Sequence, residues 1–149
     1  MQNNEMPKRA NEGCPGVSPA VAGLYALDNF GLDKIAPNLR GSSVLALNAA
    51  GGGRYELLIY GPIGDYFWGD GITATSVVEQ LAQINGGTLD VRINSDGGVV
   101  SDGLAIFNAL RSHPAEVTVT IDGVAASIAS LIAQAGKVRR VYRNSTMMI

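Results

Sequence analysis

The chain has 149 residues, enough for one domain with a core of its own. Hydrophobic residues make up 46% and charged residues 16%, which excludes a disordered chain on composition. Eleven basic and 13 acidic residues leave a net charge of -2 with no run of like charge, so a nucleic-acid or anionic-membrane binder driven by bulk charge is not expected.

The amino-terminal MQNNEMPKRANEG lacks the apolar core of a secretory signal. A single cysteine, Cys14, excludes an internal disulfide framework and fits a reducing, cytoplasmic compartment. Residues 1–53 read as an extension, partly disordered, because the stretch to about residue 42 is rich in Asn, Gly, Pro and Ser. Within it Val21 to Phe30 could pack locally, Val44 to Leu47 suits a short strand, and Gly51 to Gly53 suit a turn. From residue 54 to 149 the texture is that of a folded domain. Tyr55 to Tyr60 is a buried strand stopped by Gly61-Pro62. Tyr66, Phe67 and Trp68 are either an exposed surface or a loop folded over the core.

Thr73 to Ile84 sets Val77, Val78, Leu81 and Ile84 at helical spacing. Leu89 to Asn94 alternates, with Leu89, Val91 and Ile93 on one face and Asp90, Arg92 and Asn94 on the other. Asp102 to Arg111 is a second helix with Leu104, Phe107 and Leu110 on one stripe. Val117 to Ile121 is a β-branched strand, Ala125 to Ala135 a small-residue helix, and Val138 to Tyr142 another strand. A further strand begins at Met147. The order β-α-β-α-β-α-β predicts an α/β fold of repeated β-α-β units with mainly parallel strands. No apolar stretch is long enough to span a membrane.

In such a sheet the functional groups gather at the carboxyl ends of the strands, and two of those ends carry candidate chemistry. The first is Asn94-Ser95-Asp96-Gly97-Gly98, whose paired glycines allow positive φ and close approach of an N–H to a ligand. Taken alone it better suits an ordinary strand-to-helix turn. The second is Asp122-Gly123-Val124-Ala125-Ala126-Ser127-Ile128, which sets Ser127 in the first turn of a helix among small residues. Helix-terminal N–H groups there could stabilise an oxyanion, although a serine packed in a crowded helix would look the same. His113, the one histidine, lies in a helix-to-strand turn at the opposite end of the sheet. Lys137, Arg139, Arg140 and Arg143 suit a solvated strand edge. No metal-ligand spacing and no phosphate-binding loop is present, so neither a metal nor a cofactor is expected.

Taken together, the two glycine-bearing strand ends resemble the proteolytic subunit of the Clp protease family. The resemblance runs from Tyr55 to Ile149, through YGPIGD, INSDGGVVSDGLAIFNAL, DGVAASIASLIAQAG and NSTMMI, with a 29-residue step from Gly98 to Ser127. GPIGDYFWGDGITA looks more like the phage-encoded head maturation (prohead) branch. The resemblance implies the Clp protease/crotonase-like fold and a serine endopeptidase. Ser127 would be the nucleophile, the N–H groups of Gly98 and Ile128 the oxyanion hole, and Asn94, Ser95, Gly97 and Gly123 the supporting loops. It also implies a peptide or protein substrate held as an added strand, homo-oligomeric rings and an ATP-dependent unfoldase as a possible partner.

Two departures qualify it. Asp96 stands where the family usually has Pro, which bears on loop rigidity. The family's histidine follows the segment matched by Met147-Met148-Ile149, with the acidic triad member further on, so residues 1–149 are expected to be an amino-terminal fragment and inactive alone. A non-catalytic pseudo-peptidase in an assembly, or a crotonase-type acyl-CoA enzyme, are the competing expectations.

Overall fold

The computed structural model describes residues 43–65 and 71–149. Cys14, residues 21–30, and Tyr66 to Trp68 with Gly69 and Asp70 lie outside the described residues. Strands β1 (Val44–Gly51) and β2 (Arg54–Tyr60) form an antiparallel hairpin. Its turn runs through Gly51, Gly52 and Gly53 at φ of +78°, +60° and +71°, a left-handed run that side chains resist. The sheet thus begins at Val44, ahead of the division expected at residue 53 from composition. Val44 to Ala49 find their partners in Tyr55 to Tyr60, the next strand of the hairpin.

Strands β3 (Thr88–Ser95), β4 (Glu116–Ala126) and β5 (Val138–Val141) then join β2 in parallel, in the order β1-β2-β3-β4-β5. Helices α1 (Ala74–Leu81), α2 (Val100–Ser112) and α3 (Ile128–Ala133) fill the three crossovers. Parallel neighbours taken in chain order through crossovers of one hand put all three helices on one face. A mixed α/β fold with a mostly parallel sheet is therefore what the sequence periodicities predict and what the chain adopts.

The core lies between that face and the helices. Leu57 and Ile59 of β2, Leu89, Val91 and Ile93 of β3, and Val119 and Ile121 of β4 are at most 1% exposed. Val77 and Leu81 of α1, Ile106 and Leu110 of α2, and Ala129, Ile132 and Ala133 of α3 close over them. Thr73 caps α1, its hydroxyl oxygen accepting from the Ser76 N–H at 3.2 Å. Of the stripe expected on α2, Leu110 is buried and Phe107 packs partly buried against the core, whereas Leu104 is 43% exposed and Gly103 and Ile106 face inward instead. The shift follows from close approach, because a Cβ at Gly103 would meet Ile128 Cγ1 at 2.1 Å. Helix α2 therefore packs against the start of α3 through a glycine contact that periodicity alone does not show.

A larger correction concerns Ser127. The alanine-rich stretch from Ala125 predicts helix, yet Ala125 and Ala126 belong to β4, and α3 starts only at Ile128. Strand β6 (Thr146–Met148) is the reason. It pairs in parallel with Val124 to Ala126 and supplies ladder partners from 22 residues away in sequence, as in Val124 with Thr146. Tertiary pairing here overrides the helix propensity of alanine.

Core and surface positions should respond very differently to truncation. Ile93→Ala, at 0% exposure, should cost about 2–5 kcal/mol in urea unfolding. Val78→Ala, at 48% exposure on α1, should stay within about 0.5 kcal/mol.

Candidate active site

The carboxyl ends of β3 and β4 lie side by side, and each leaves the sheet through glycine. The loop after β3 is tied down along its length. The Asn94 carbonyl accepts from the Gly61 N–H at 2.9 Å, and the Gly97 carbonyl accepts from the Ile63 N–H at 2.8 Å. The Val99 N–H donates to the Ile63 carbonyl at 2.8 Å. Inside the loop the buried Ser95 hydroxyl accepts from the Gly97 N–H at 3.1 Å. This turn and these three backbone bonds hold the loop with Asp96 in the position where proline was the usual residue; Asp96 itself is exposed.

The geometry makes both glycines necessary. Gly97 has φ +97°, and a Cβ there would lie 2.7 Å from the Ala126 carbonyl oxygen and 2.9 Å from Ser127 Cβ. A Cβ at Gly98 would lie 2.1 Å from the Ile63 carbonyl oxygen. Gly98 forms a parallel bridge with Ile63 through its neighbours, Gly97 carbonyl and Val99 N–H. In that pattern its own N–H turns away from Ile63 and is left available.

Ser127 is the N-cap of α3 rather than a residue of its first turn. Its backbone, at φ 51° and ψ -127°, is the one non-glycine with positive φ among the described residues. Such a conformation costs of order 1–3 kcal/mol and persists only where surrounding bonds hold it. Here the Ser127 N–H donates to the Met148 carbonyl at 2.9 Å. The Ser127 carbonyl accepts from the Ser130 N–H at 3.0 Å and the Ser130 hydroxyl at 2.6 Å. With the backbone fixed, the Ser127 side chain stands exposed between buried Ala126 and Ile128. Helix α3 has only six residues, so it offers the unpaired Ile128 N–H more than a macrodipole.

The turn depends on a bulge in β4. Ile93 pairs with Ile121, but the next pair is Ser95 with Ala125, so β4 carries more residues than β3 across the gap. Asn94 fills it, its Oδ1 accepting from the Val124 N–H at 3.1 Å. Gly123 leaves room for that side chain, since a Cβ would meet Asn94 Oδ1 at 2.5 Å. The Ser145 hydroxyl donates to the carbonyls of Ile121 and Asp122 at 2.9 and 3.1 Å. Of the residues expected here, Asn94, Ser95, Gly97, Gly98, Gly123, Ser127 and Ile128 are all brought to this one region.

Sequence reasoning missed a charged cluster on the sheet face away from the helices. Arg92 is 3% exposed, yet period-two alternation marked it only as lying on the face opposite Leu89, Val91 and Ile93. Its Nε donates to Asp122 Oδ2 at 2.8 Å, and its Nη2 donates to Asp122 Oδ1. The Tyr60 hydroxyl donates to Asp122 Oδ2 at 2.5 Å, and Glu56 Oε2 lies 3.8 Å from Arg92 Nη1. Burial by itself would weaken proton binding by Arg92. The bond to Asp122 and the charge of Asp122, with Tyr142 and Tyr60 adding, overcome it and hold the guanidinium above its ordinary range. The available signal was an Arg and an Asp each just ahead of a glycine-bearing strand end.

His113 is remote from all this. Its Nδ1 accepts from the Ala115 N–H at 3.1 Å, and its Nε2 lies 3.2 Å from the Leu81 carbonyl, to which it donates. It precedes β4, whereas Ser127 follows it, a separation on the order of 30 Å at the usual rise per residue. Among the described residues no group of three or more His, Cys, Asp or Glu could hold a metal ion, and no helix is long and apolar enough to cross a membrane.

Comparison with known proteins bears on the same two loops. The Clp protease family matches residues 67–149, more than half the chain and the whole of both strand ends. The chain belongs to the Clp protease family. An ATP-dependent Clp protease proteolytic subunit of Carsonella ruddii (strain PV) is 37% identical to it over 81 residues. That match covers 51% of this chain and 42% of the relative, so the chain spans less than half of that Clp protease subunit.

The glycine geometry gives a direct check. Gly97→Ala should lower stability by at least about 2 kcal/mol, since its Cβ meets backbone at a positive φ. Gly52→Asn, with nothing within 4 Å of its Cβ and φ +60°, should cost less than about 1 kcal/mol; urea unfolding of both variants reads the contrast.

Proposed function

We propose that this chain carries the nucleophile and oxyanion hole of a serine endopeptidase. The observation that carries the reading is Ser127 itself: an exposed hydroxyl on a strained turn, with Gly97 packed against it. Strain at one non-glycine residue, held by bonds to Met148 on one side and Ser130 on the other, is what a presented nucleophile requires.

In this reading the Ser127 hydroxyl oxygen attacks a peptide carbonyl while a base takes its proton. The tetrahedral oxyanion is stabilised by the N–H groups of Gly98 and Ile128. Collapse breaks the C–N bond, and the base returns the proton to the leaving amine; water then releases the acyl group by the same steps. His113 is too distant to serve. We assign the base to a histidine immediately beyond Ile149, because the bond from the Ser127 N–H to Met148 brings that edge of β6 alongside the nucleophile. The acidic partner follows later in the family pattern. The substrate is an extended peptide, with phage head proteins the class suggested by GPIGDYFWGDGITA. Rings of identical subunits in the cytoplasm, with or without an unfoldase, complete the proposal.

The coding sequence beyond Ile149 should encode a histidine within a few residues; its absence overturns the peptidase reading. With that longer protein, a serine-directed fluorophosphonate should label wild type and His113→Gln equally and leave Ser127→Ala unlabelled. Labelling of Ser127→Ala would remove the nucleophile assignment. Residues 1–149 alone should react at least ~10³-fold more slowly, for want of a base.

A further inference from the structure

We propose that the Arg92–Asp122 ion pair is the positioning device for Ser127, an inference that rests on Ser127 being the nucleophile. Asp122 is the first residue of the β4 bulge, and its carboxylate takes three donors: Arg92 Nε, Arg92 Nη2 and the Tyr60 hydroxyl. Arg92 pairs across the ladder with Thr120, so it reaches forward along the sheet face to Asp122, past the last regular rung at Ile93 and Ile121. It stands two residues ahead of Asn94, whose side chain fills the same bulge. One ion pair thus joins the two strand ends at the level where their backbone ladder is interrupted.

The neighbouring strands are drawn into the same point. Tyr60 comes from the end of β2, and the Tyr142 ring, just past β5, lies 5.9 Å from the guanidinium carbon. The Tyr142 N–H reaches the Ile121 carbonyl at 3.5 Å, one residue before Asp122. This is more than burial requires. Two apolar side chains would cover the same sheet face, and a buried ion pair is on average no more stabilising than such a pair. What the fork of Arg92 adds is direction: two fixed bonds to a carboxylate set where the Asp122 backbone sits. From there the chain reaches Ser127 through Gly123, Val124, Ala125 and Ala126, of which Val124 is bonded to Asn94 and the last three pair with β6. Displacement of a reacting group by about an ångström is enough to slow chemistry by orders of magnitude.

The test uses the protein that includes the residues beyond Ile149. Fluorophosphonate labelling of Ser127 is measured as a function of probe concentration for wild type, Asp122→Asn, Arg92→Lys and the double variant Arg92→Met/Asp122→Leu. The maximal labelling rate of Asp122→Asn should fall roughly ten- to hundredfold, with half-saturation within about twofold of wild type. Arg92→Lys, which keeps the charge without the fork, should recover part of the rate. The double variant, made with Glu56→Gln so that no buried carboxylate loses its cation, should remain folded in urea titration and still label slowly. A double variant that labels at the wild-type rate overturns the proposal, as does a loss in Asp122→Asn that tracks the unfolded fraction alone.

Amide hydrogen exchange supplies a second readout that is independent of chemistry at Ser127. In Asp122→Asn the Val124 and Ser127 amides, bonded to Asn94 Oδ1 and the Met148 carbonyl, should exchange at least tenfold faster while Val91 and Val119 keep their protection. Unchanged exchange at Val124 and Ser127 overturns the positioning role. If wild type is not labelled at all, the nucleophile reading fails, and the exchange comparison alone decides whether the ion pair holds the turn.

Discussion

The interruption of the β3–β4 ladder is the constraint on which the rest of the site depends. Up to Ile93 and Ile121 the two strands run in regular parallel register; beyond them β4 takes extra residues and changes partner from β5 to β6. A bulge bends a strand and re-aims the residues after it. In this chain it re-aims the end of β4 toward β6 and delivers Ser127 to a turn beside the Gly97–Gly98 loop. Every group that stabilises the bulge is polar and directional: Asn94 from within, Ser145 from one side, and Arg92 with Tyr60 from the other.

The glycines are what this arrangement demands sterically. The 19 glycines, against roughly ten at ordinary usage, fall into groups with different causes. Gly97, Gly98 and Gly123 lie where another backbone or a filling side chain comes too close for a Cβ. Gly103 lets α2 approach Ile128, which brings the helix after one loop against the helix after the other. Gly51 to Gly53 meet nothing and are present for their positive φ in the hairpin turn. Close backbone approach at the strand ends thus costs conformational entropy, because glycine loses more freedom on folding than any other residue. The dense apolar packing of Leu57, Ile59, Leu89, Val91 and Ile93 beneath supplies the offsetting stabilisation.

Much of the fold was legible in the residues. Period-two runs such as Leu89, Val91 and Ile93 and helical spacings such as Val77 and Leu81 located the β-α-β units, because each element's burial is written in its own periodicity. Glycine-bearing strand ends pointed to two loops that the fold sets side by side, and the resemblance of the whole series pointed to the right family. Three features escaped. Leu104 of α2 turned outward while Gly103 met Ile128, Ala125 and Ala126 were drawn into β4 by β6, and Arg92 was buried against Asp122. Each was decided by a partner that the local sequence does not contain.

The sequence by itself determined the alternation of elements, the two glycine loops, Ser127 as an exposed-capable hydroxyl among small residues, and membership of a family. Tertiary structure alone decided that Ser127 ends a strand rather than sits within a helix, and that its backbone is held at positive φ. It also decided that Arg92, on the polar face by alternation, is buried against Asp122. The reason is the same in each case. Periodicity reports which face of an element is apolar, whereas a bulge, a strained turn and a buried ion pair exist only when groups remote in sequence meet in space.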